Sequence, residues 1–352
     1  DPALIDQSDP DCVLRTREVT RANKRITIHQ MWSPVTAMLA FVKLHLPLRT
    51  YQIRFLDSGE ADTWRYQDGL WVTNEAHDYA MGTSKRPYTK GVFKRIYDSM
   101  SGGHSTGLYV STNKTADQNK DAGDRGYTIP WQNEEVLYWL EKLRNWQEKY
   151  NPITAPTPCT VLKRKHTTAL KSERALKAMG EYCFLFRDAS AKGEDRKKPV
   201  TSNAIKVLWY RLLKTLEDQL FEEGVRLQDG TPLKLVEDYP EGTKYGDKTA
   251  TLFPPHSMRV SLITAYTMDT NLPLPVISKL LAGHTRLLMT IYYNKITPNV
   301  MRERMAEAEQ SLALSADDSL RTFLKDSSIE QIQCKAAYHS EDSVSAAPVS
   351  YT

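Results

Sequence analysis

Apolar residues return at helical spacing in several separate stretches of this 352-residue chain, and at strand spacing in one. Ser33 and Pro34 open the first stretch, Val35, Met38, Leu39, Val42 and Leu46 recur along one face of it, and Pro47 stops it. Residues 107 to 129 hold two extended stretches, Gly-Leu-Tyr-Val-Ser-Thr and Gly-Tyr-Thr-Ile, around a polar segment rich in Asn, Asp, Lys and Gly, which predicts a long-looped hairpin. After Pro130, the residues Val136, Leu137, Leu140, Leu143 and Trp146 mark an amphipathic helix that Pro152, Pro156 and Pro158 end. Residues 201 to 223 predict another helix, with Ser202 as cap and Leu208, Leu212, Leu216 and Leu220 along one face. Residues 226 to 251, rich in Gly, Asp and Pro, read as a long loop or insertion.

Pro254 and Pro255 precede a helix that carries His256 and Arg259 at a spacing of three, close enough on one face to reach the same phosphate, with Val260, Leu262, Ile263 and Tyr266 on the buried side. A short helix from Leu272 to Leu281 stops at Gly283, so His284 projects from a turn. The run Arg286 to Ile296 returns Tyr292 or Tyr293 toward the same place. Beyond Thr297-Pro298 a last helix is expected to about Leu312, then a weaker helical stretch near 317 to 325 and a low-complexity tail. The expected fold class is mainly α with a small antiparallel β-sheet (α+β).

Composition narrows the classes. With 40% hydrophobic and 26% charged residues the chain reads as an ordinary soluble protein with room for one large domain or two modest ones. No segment approaches the roughly 20 apolar residues of a membrane span, so no membrane partner and a cytoplasmic setting, at the nucleoid in a bacterium, are expected. Cys12, Cys159, Cys183 and Cys334 stand far apart with no CxxC pair, and are expected as reduced thiols rather than a zinc knuckle or a disulfide framework. The start at Asp1 reads as a piece of a longer protein. The net charge is +4, unevenly spread: residues 161 to 200 carry eleven Lys or Arg against five acids, and the chain from Glu307 onward eight acids against three Lys or Arg. The basic run reads either as a phosphate contact or as a solvated face.

Taken singly, His256 reads equally as a helix cap, Gly283-His284 as an ordinary helix end and any one tyrosine as structural. Their order and spacing select a common reading. His256-Ser257-Met258-Arg259 fits a His-x-x-Arg pattern, Leu281-Ala282-Gly283-His284 fits Leu-Gly-His with one residue inserted, and Tyr293 follows His284 by nine positions. Upstream, Leu48-Arg49-Thr50-Tyr51-Gln52 resembles Leu-Arg-hydrophobic-Ser-Glu with Gln52 in place of the carboxylate, and Thr112-Asn113-Lys114-Thr115 with Arg125 and Ile129-Pro130 resembles a lysine-bearing hairpin, Lys120 being the rival lysine. Together these residues resemble the catalytic domain of tyrosine recombinases (the phage integrase family), from about residue 15 to 312. Residues 1 to 14 are then an extension or linker, 60 to 105 and 150 to 250 contain insertions, and 313 to 352 form a helix and acidic tail. The helical domain that such proteins carry in front has no room here.

The resemblance implies Arg49, Lys114, His256, Arg259, His284 and Tyr293 as catalytic residues, with no metal and no cofactor. It implies double-stranded DNA as partner, a homo-tetramer on DNA in the full-length protein, and accessory DNA-bending proteins. The chemistry stands on its own terms. Metal-free cleavage of a phosphodiester needs fixed cations at the nonbridging oxygens, and guanidinium groups such as Arg49 and Arg259 suit that. Tyr293 is then the nucleophile, Lys114 the acid for the leaving 5′-oxygen, and His256 and His284 share proton transfer. A zinc site from His256 and His284 lacks a third ligand. Rival readings are a type IB topoisomerase, and a DNA-binding relative that does not cut. Residues 297 to 312 pack either on their own domain or on a neighbouring subunit.

Overall fold

The computed structural model describes residues 4–21, 23–97, 102–113, 117, 120, 125–167, 169–237, 251, 253–269, 272 and 274–283. The chain divides into two units, Asp1–Lys295 and Ile296–Thr352, and the second lies wholly outside the described residues, as do Lys114, His284, Tyr292, Tyr293 and the expected last helix. Within the first unit the architecture is α+β, with helices set among small antiparallel sheets.

A hairpin of β1 (Leu14–Arg21) and β2 (Lys24–Met31) leads to α1 (Val35–His45) and the short α2 (Thr50–Arg54). Two small hairpins follow, β3 (Trp64–Gln67) with β4 (Leu70–Thr73) and β5 (Gly82–Thr83) with β6 (Arg86–Pro87), within the expected insertion. Strands β7 (Phe93–Tyr97), β8 (His104–Val110) and β9 (Tyr127–Ile129) form a three-stranded antiparallel sheet, and the β8–β9 pair is the long-looped hairpin that the sequence predicts. Next come α3 (Glu134–Tyr150), the pair β10 (Thr157–Pro158) and β11 (Glu181–Tyr182) enclosing α4 (Arg164–Thr167) and α5 (Glu173–Met179), and the long α6 (Ser202–Glu222). The last described elements are α7 (Ser257–Asp269), α8 (Leu274–Val276) and a π turn over Ile277–Leu281.

The main core forms where the apolar stripes of α1 and α3 meet the sheet. Leu39, Val42, Leu46 and Ile53 pack with Val136, Leu140 and Leu143, with Leu108, Val110 and Ile129, and with Phe186, Val200 and Leu281. Asn133 caps α3 by accepting the Val136 N–H, and Glu134 and Glu135 complement its N-terminal dipole. The α7 face is as expected, with Ile263 buried and Val260, Leu262 and Tyr266 half-buried.

Two expectations change, and an open reading is narrowed. Helix α6 has Thr201 rather than Ser202 at its N-cap position, without a side-chain cap hydrogen bond, and buries Ile205, Tyr210, Leu213 and Glu217, while Leu212 and Leu216 are 43% and 44% exposed. A residue every fourth position drifts by about 40° per step, so the four leucines wind around the helix and no single neighbour covers them. Residues 15 to 31, for which no element was predicted, form the β1–β2 hairpin. The basic run of 161 to 200 is partly neutralised internally, Lys165 and Lys198 pairing with Asp195, Lys197 with Glu194, Lys177 with Glu173 and Arg187 with Glu60. Cys12, Cys159 and Cys183 are buried free thiols, and among the described residues no helix is long and apolar enough to cross a membrane.

Candidate functional site

The site is built at the C-terminal end of α1. Leu46 leaves the helix in an extended conformation, Pro47 and Leu48 are buried, and Arg49 stands at the N-cap of α2. Gln52 holds this turn from two sides. Its Oε1 accepts the Arg49 backbone N–H at 2.9 Å, and its Nε2 donates to the Thr112 carbonyl at 3.1 Å, just past the end of β8. An amide can do both; a carboxylate can do only the first. The departure from Glu at this position therefore has a local reason: Gln52 ties the Arg49 turn to the strand end that leads into Lys114.

The same loop is tied at its base. Asp117 is buried and accepts the N–H groups of Asn113 and Gly126, so the two ends of the segment around Lys114 are held together. Gly126 has φ +79°, and a Cβ there would strike the Val110 carbonyl oxygen, so only glycine fits. Lys120 is exposed, and its carbonyl accepts from Arg125 Nε at 3.1 Å.

Arg259 enters from α7. Its side chain is fully buried, and it donates from Nη1 to the Pro47 carbonyl and from Nη2 to the Ala282 carbonyl at 2.9 Å. One guanidinium thus joins three segments that are remote in sequence: the approach to Arg49, the α7 helix, and the turn that immediately precedes His284. The π turn before Ala282, closed by Ala282 N–H to the Ile277 carbonyl at 2.9 Å, takes in one more residue than an α turn. That is where Leu-Ala-Gly-His carries its extra residue. Gly283 follows with φ +59°, and a Cβ on it would overlap the ring of Tyr127. The predicted helix stop is present, and it also lets the turn close onto β9.

Tyr127 reports on the electrostatics of this junction. Burial pushes its hydroxyl up to about 12, against the pull of Arg259, Arg49 and the Gln52 amide beside it, and the hydroxyl donates to the Leu281 carbonyl at 3.4 Å. Arg49 is half-buried, and its Nη1, shielded from solvent, has no hydrogen-bond partner among the described residues. Lys43, 1% exposed, reaches the Leu48 carbonyl at 3.4 Å, and burial, with the charge of Arg259, lowers its ammonium to about 8. Neither Arg49 nor Lys43 meets a carboxylate among the described residues. Lys43, Tyr127 and Asp117 were not singled out from the sequence, although Lys43 gave a signal, since it lies four residues after Leu39 on the apolar stripe of α1.

The predicted residues separate accordingly. Arg49 and Arg259 come together around Tyr127. His256 lies just before α7 and is exposed while Arg259 is buried, so the two differ in environment despite their spacing. Lys114, His284 and Tyr293 lie outside the described residues. Elsewhere, Glu60, His77 and Glu148 bring ligand atoms within 4.8 Å of one another. Arg187 grips Glu60 at 2.6 and 3.1 Å and Arg65 grips Glu148 at 2.7 and 2.6 Å, so these carboxylates are already neutralised by guanidinium groups.

A mixed α+β chain with a buried cationic junction of this kind suits a DNA-acting protein. A family model described as "Putative integrase" matches residues 1–160, which supports an integrase-type protein and an integrase- or recombinase-like function in general terms. The matched part includes Arg49, Gln52 and the hairpin, and ends before His256 and Arg259. No curated protein and no solved structure matches the chain.

Two outcomes are expected. Gln52→Glu sets a carboxylate against the Thr112 carbonyl and should lower stability by about 1–3 kcal/mol, read from the midpoint of chemical denaturation; an unchanged midpoint would remove the link from the account. Lys43→Met should raise stability at pH 7 by on the order of 1–3 kcal/mol, because below pH 8 the folded state holds a buried ammonium that the unfolded state solvates. The folded form binds fewer protons than the unfolded one between about 8 and 10.5, so wild-type stability rises with pH across that window and the advantage of Lys43→Met fades there. Thermal denaturation at pH 7 and pH 10 measures both.

Proposed function

We propose that this chain cuts and rejoins DNA strands site-specifically through a covalent 3′-phosphotyrosine, as tyrosine recombinases do. The observation that carries the reading is the junction itself. Arg49, with a buried Nη1 that meets no partner among the described residues, and the buried Lys43 lie where Arg259 joins the Arg49 turn to the segment leading to His284. Buried polar groups are ordinarily satisfied, so a shielded cationic nitrogen left open fits an anion that arrives with the substrate.

In this reading the Tyr293 oxygen attacks phosphorus and the bond to the 5′-oxygen breaks. Lys114 gives that oxygen its proton, and His256 and His284 take up the phenolic proton and bind the phosphate. Arg49 steadies the charge on the nonbridging oxygens while Arg259 fixes the position of Arg49. Reversal by a different 5′-hydroxyl rejoins the strand with no external energy source. The partner is double-stranded DNA, the assembly a homo-tetramer with accessory DNA-bending proteins, and the setting the cytoplasm at the chromosome. A second reading, a relative that binds DNA without cutting, draws on the burial of Arg259 and its use of two main-chain carbonyls.

A nicked suicide duplex separates the two. Wild-type protein should give a covalent protein–DNA band on a denaturing gel and Tyr293→Phe should give none; no band with wild type would leave the non-cutting reading. Lys114→Ala should slow formation of the band by about 10²–10⁴-fold, an effect rescued by a bridging phosphorothiolate whose sulfur leaves without a proton. If Lys120→Ala shows that loss and that rescue instead, the acid is Lys120.

A further inference from the structure

The β1–β2 hairpin does almost nothing for the core. Only its root is anchored: Leu14 and Met31 pack on the main cluster, and Trp32 donates to the Val13 carbonyl at 2.8 Å. Beyond the root, among the described residues, the two eight-residue strands pair only with each other, in register from Leu14 with Met31 to Arg21 with Lys24, and most of their side chains are exposed. An isolated two-stranded hairpin is marginal in water, so a ribbon of this length with little packing behind it calls for another reason.

Its chemistry supplies one. The register places Arg15, Arg17 and Lys24 on one face together with Val19, Ile26 and Ile28, and no acid shares that face. The single acid of the ribbon, Glu18, lies on the other face with Thr16, Thr20, Thr27, His29 and Arg25. Arg15, Arg17 and Lys24 are exposed and form no ion pair among the described residues. The apolar side chains stiffen the ribbon, and the cations remain available. The major groove of B-DNA, roughly 12 Å wide, admits a two-stranded antiparallel ribbon, and its phosphates are the complementary charge.

We propose that the β1–β2 ribbon is a DNA-docking arm that lies along a groove of the duplex with Arg15, Arg17 and Lys24 on phosphates. The inference rests on the reading of DNA as substrate and adds where the duplex is held outside the cleavage site. The ribbon enters α1 at its N-terminal end, and the Arg49 turn leaves α1 at its C-terminal end. Eleven helical residues span roughly 17 Å, and an eight-residue strand roughly 27 Å. Trp32–Pro34 and Leu46–Arg49 add at most roughly 24 Å, so the arm reaches at most about 20 base pairs, at 3.4 Å each, from the phosphate bound near Arg49.

The test is a salt titration of binding to a fluorescent 40-base-pair duplex of mixed sequence, using the full chain. Two variants of equal charge change are compared, Arg15→Ala/Arg17→Ala/Lys24→Ala and a control, Lys163→Ala/Arg164→Ala/Arg174→Ala, on exposed cations away from the arm. The arm variant should lower the slope of log affinity against log salt by about 2–3 and weaken binding by on the order of 10²-fold at 0.15 M salt, while the control shifts the slope by less than about 1. Equal shifts in the two variants, or no shift in the arm variant, overturn the arm. The suicide-duplex assay keeps the readings apart. Wild type that binds DNA and loses slope only in the arm variant, yet forms no covalent band, leaves the arm standing and overturns strand cleavage. A covalent band with equal shifts does the reverse, and wild type that binds no duplex overturns both.

Discussion

The buried guanidinium of Arg259 is the constraint on which the rest of the site depends. A charge taken fully out of water is tolerated only when donors are supplied with acceptors, and here the two Nη groups reach the main-chain carbonyls of Pro47 and Ala282. Each such charge-assisted bond is worth about 1.5–3 kcal/mol, and neither acceptor lies in a regular element, so the arginine fixes backbone that no hydrogen-bond ladder would fix. The fold uses the device elsewhere. Arg54 donates to the carbonyls of Val200 and His166, and Arg187 to those of Asn151 and Phe184 besides its pair with Glu60. Distant segments are stitched by arginines reaching through the core to main-chain oxygens.

From that anchor the order passes outward through three further links. Gln52 joins the Arg49 turn to Thr112, Asp117 joins Asn113 to Gly126, and the absent side chain of Gly283 lets the π turn settle on the Tyr127 ring. Each link needs a particular functional group: a donor and an acceptor on one amide, two acceptors on one carboxylate, and no Cβ at all. The backbone leading to Lys114 and the backbone leading to His284 are therefore both referred to Arg49, one through Gln52 and the other through Arg259.

What was legible in the sequence follows from how locally each feature is encoded. The α1 and α3 stripes and the β8–β9 alternation belong to single elements packed on one core, and their periodicity predicts them. Helix α6 was legible as a helix but not in its facing. Its leucines suggest one neighbour, whereas Glu217 turns a different side inward by accepting the Leu235 and Val236 N–H groups at 2.6 and 3.0 Å. The β1–β2 ribbon escaped because neither of its faces is buried, so its alternation lacks the apolar-in, polar-out signature that marks a strand. The motifs around Arg49 and Arg259 were legible as residues. The burial of Arg259 was not, because nothing local distinguishes an arginine that solvates a phosphate from one that crosses the core to a carbonyl.

The distribution of counter-charges gives the site its character. In the network around α3, Arg65 and Arg144 are matched by Glu148 and Glu141, and Arg187 by Glu60, so that region neutralises itself and is structural. At the α1 terminus the opposite holds. Lys43 is buried far enough to lose much of its basicity, and Arg49 keeps a shielded nitrogen open, with no carboxylate supplied to either among the described residues. Placing cations where water is excluded costs stability unless an anion arrives, and the same arrangement lets an arriving phosphate meet charges already in position, with little reorganisation left to do. The fold thus spends stability at one end of α1 that it does not spend around α3, and an unneutralised, preorganised cationic junction is what the proposed binding of a phosphodiester would require.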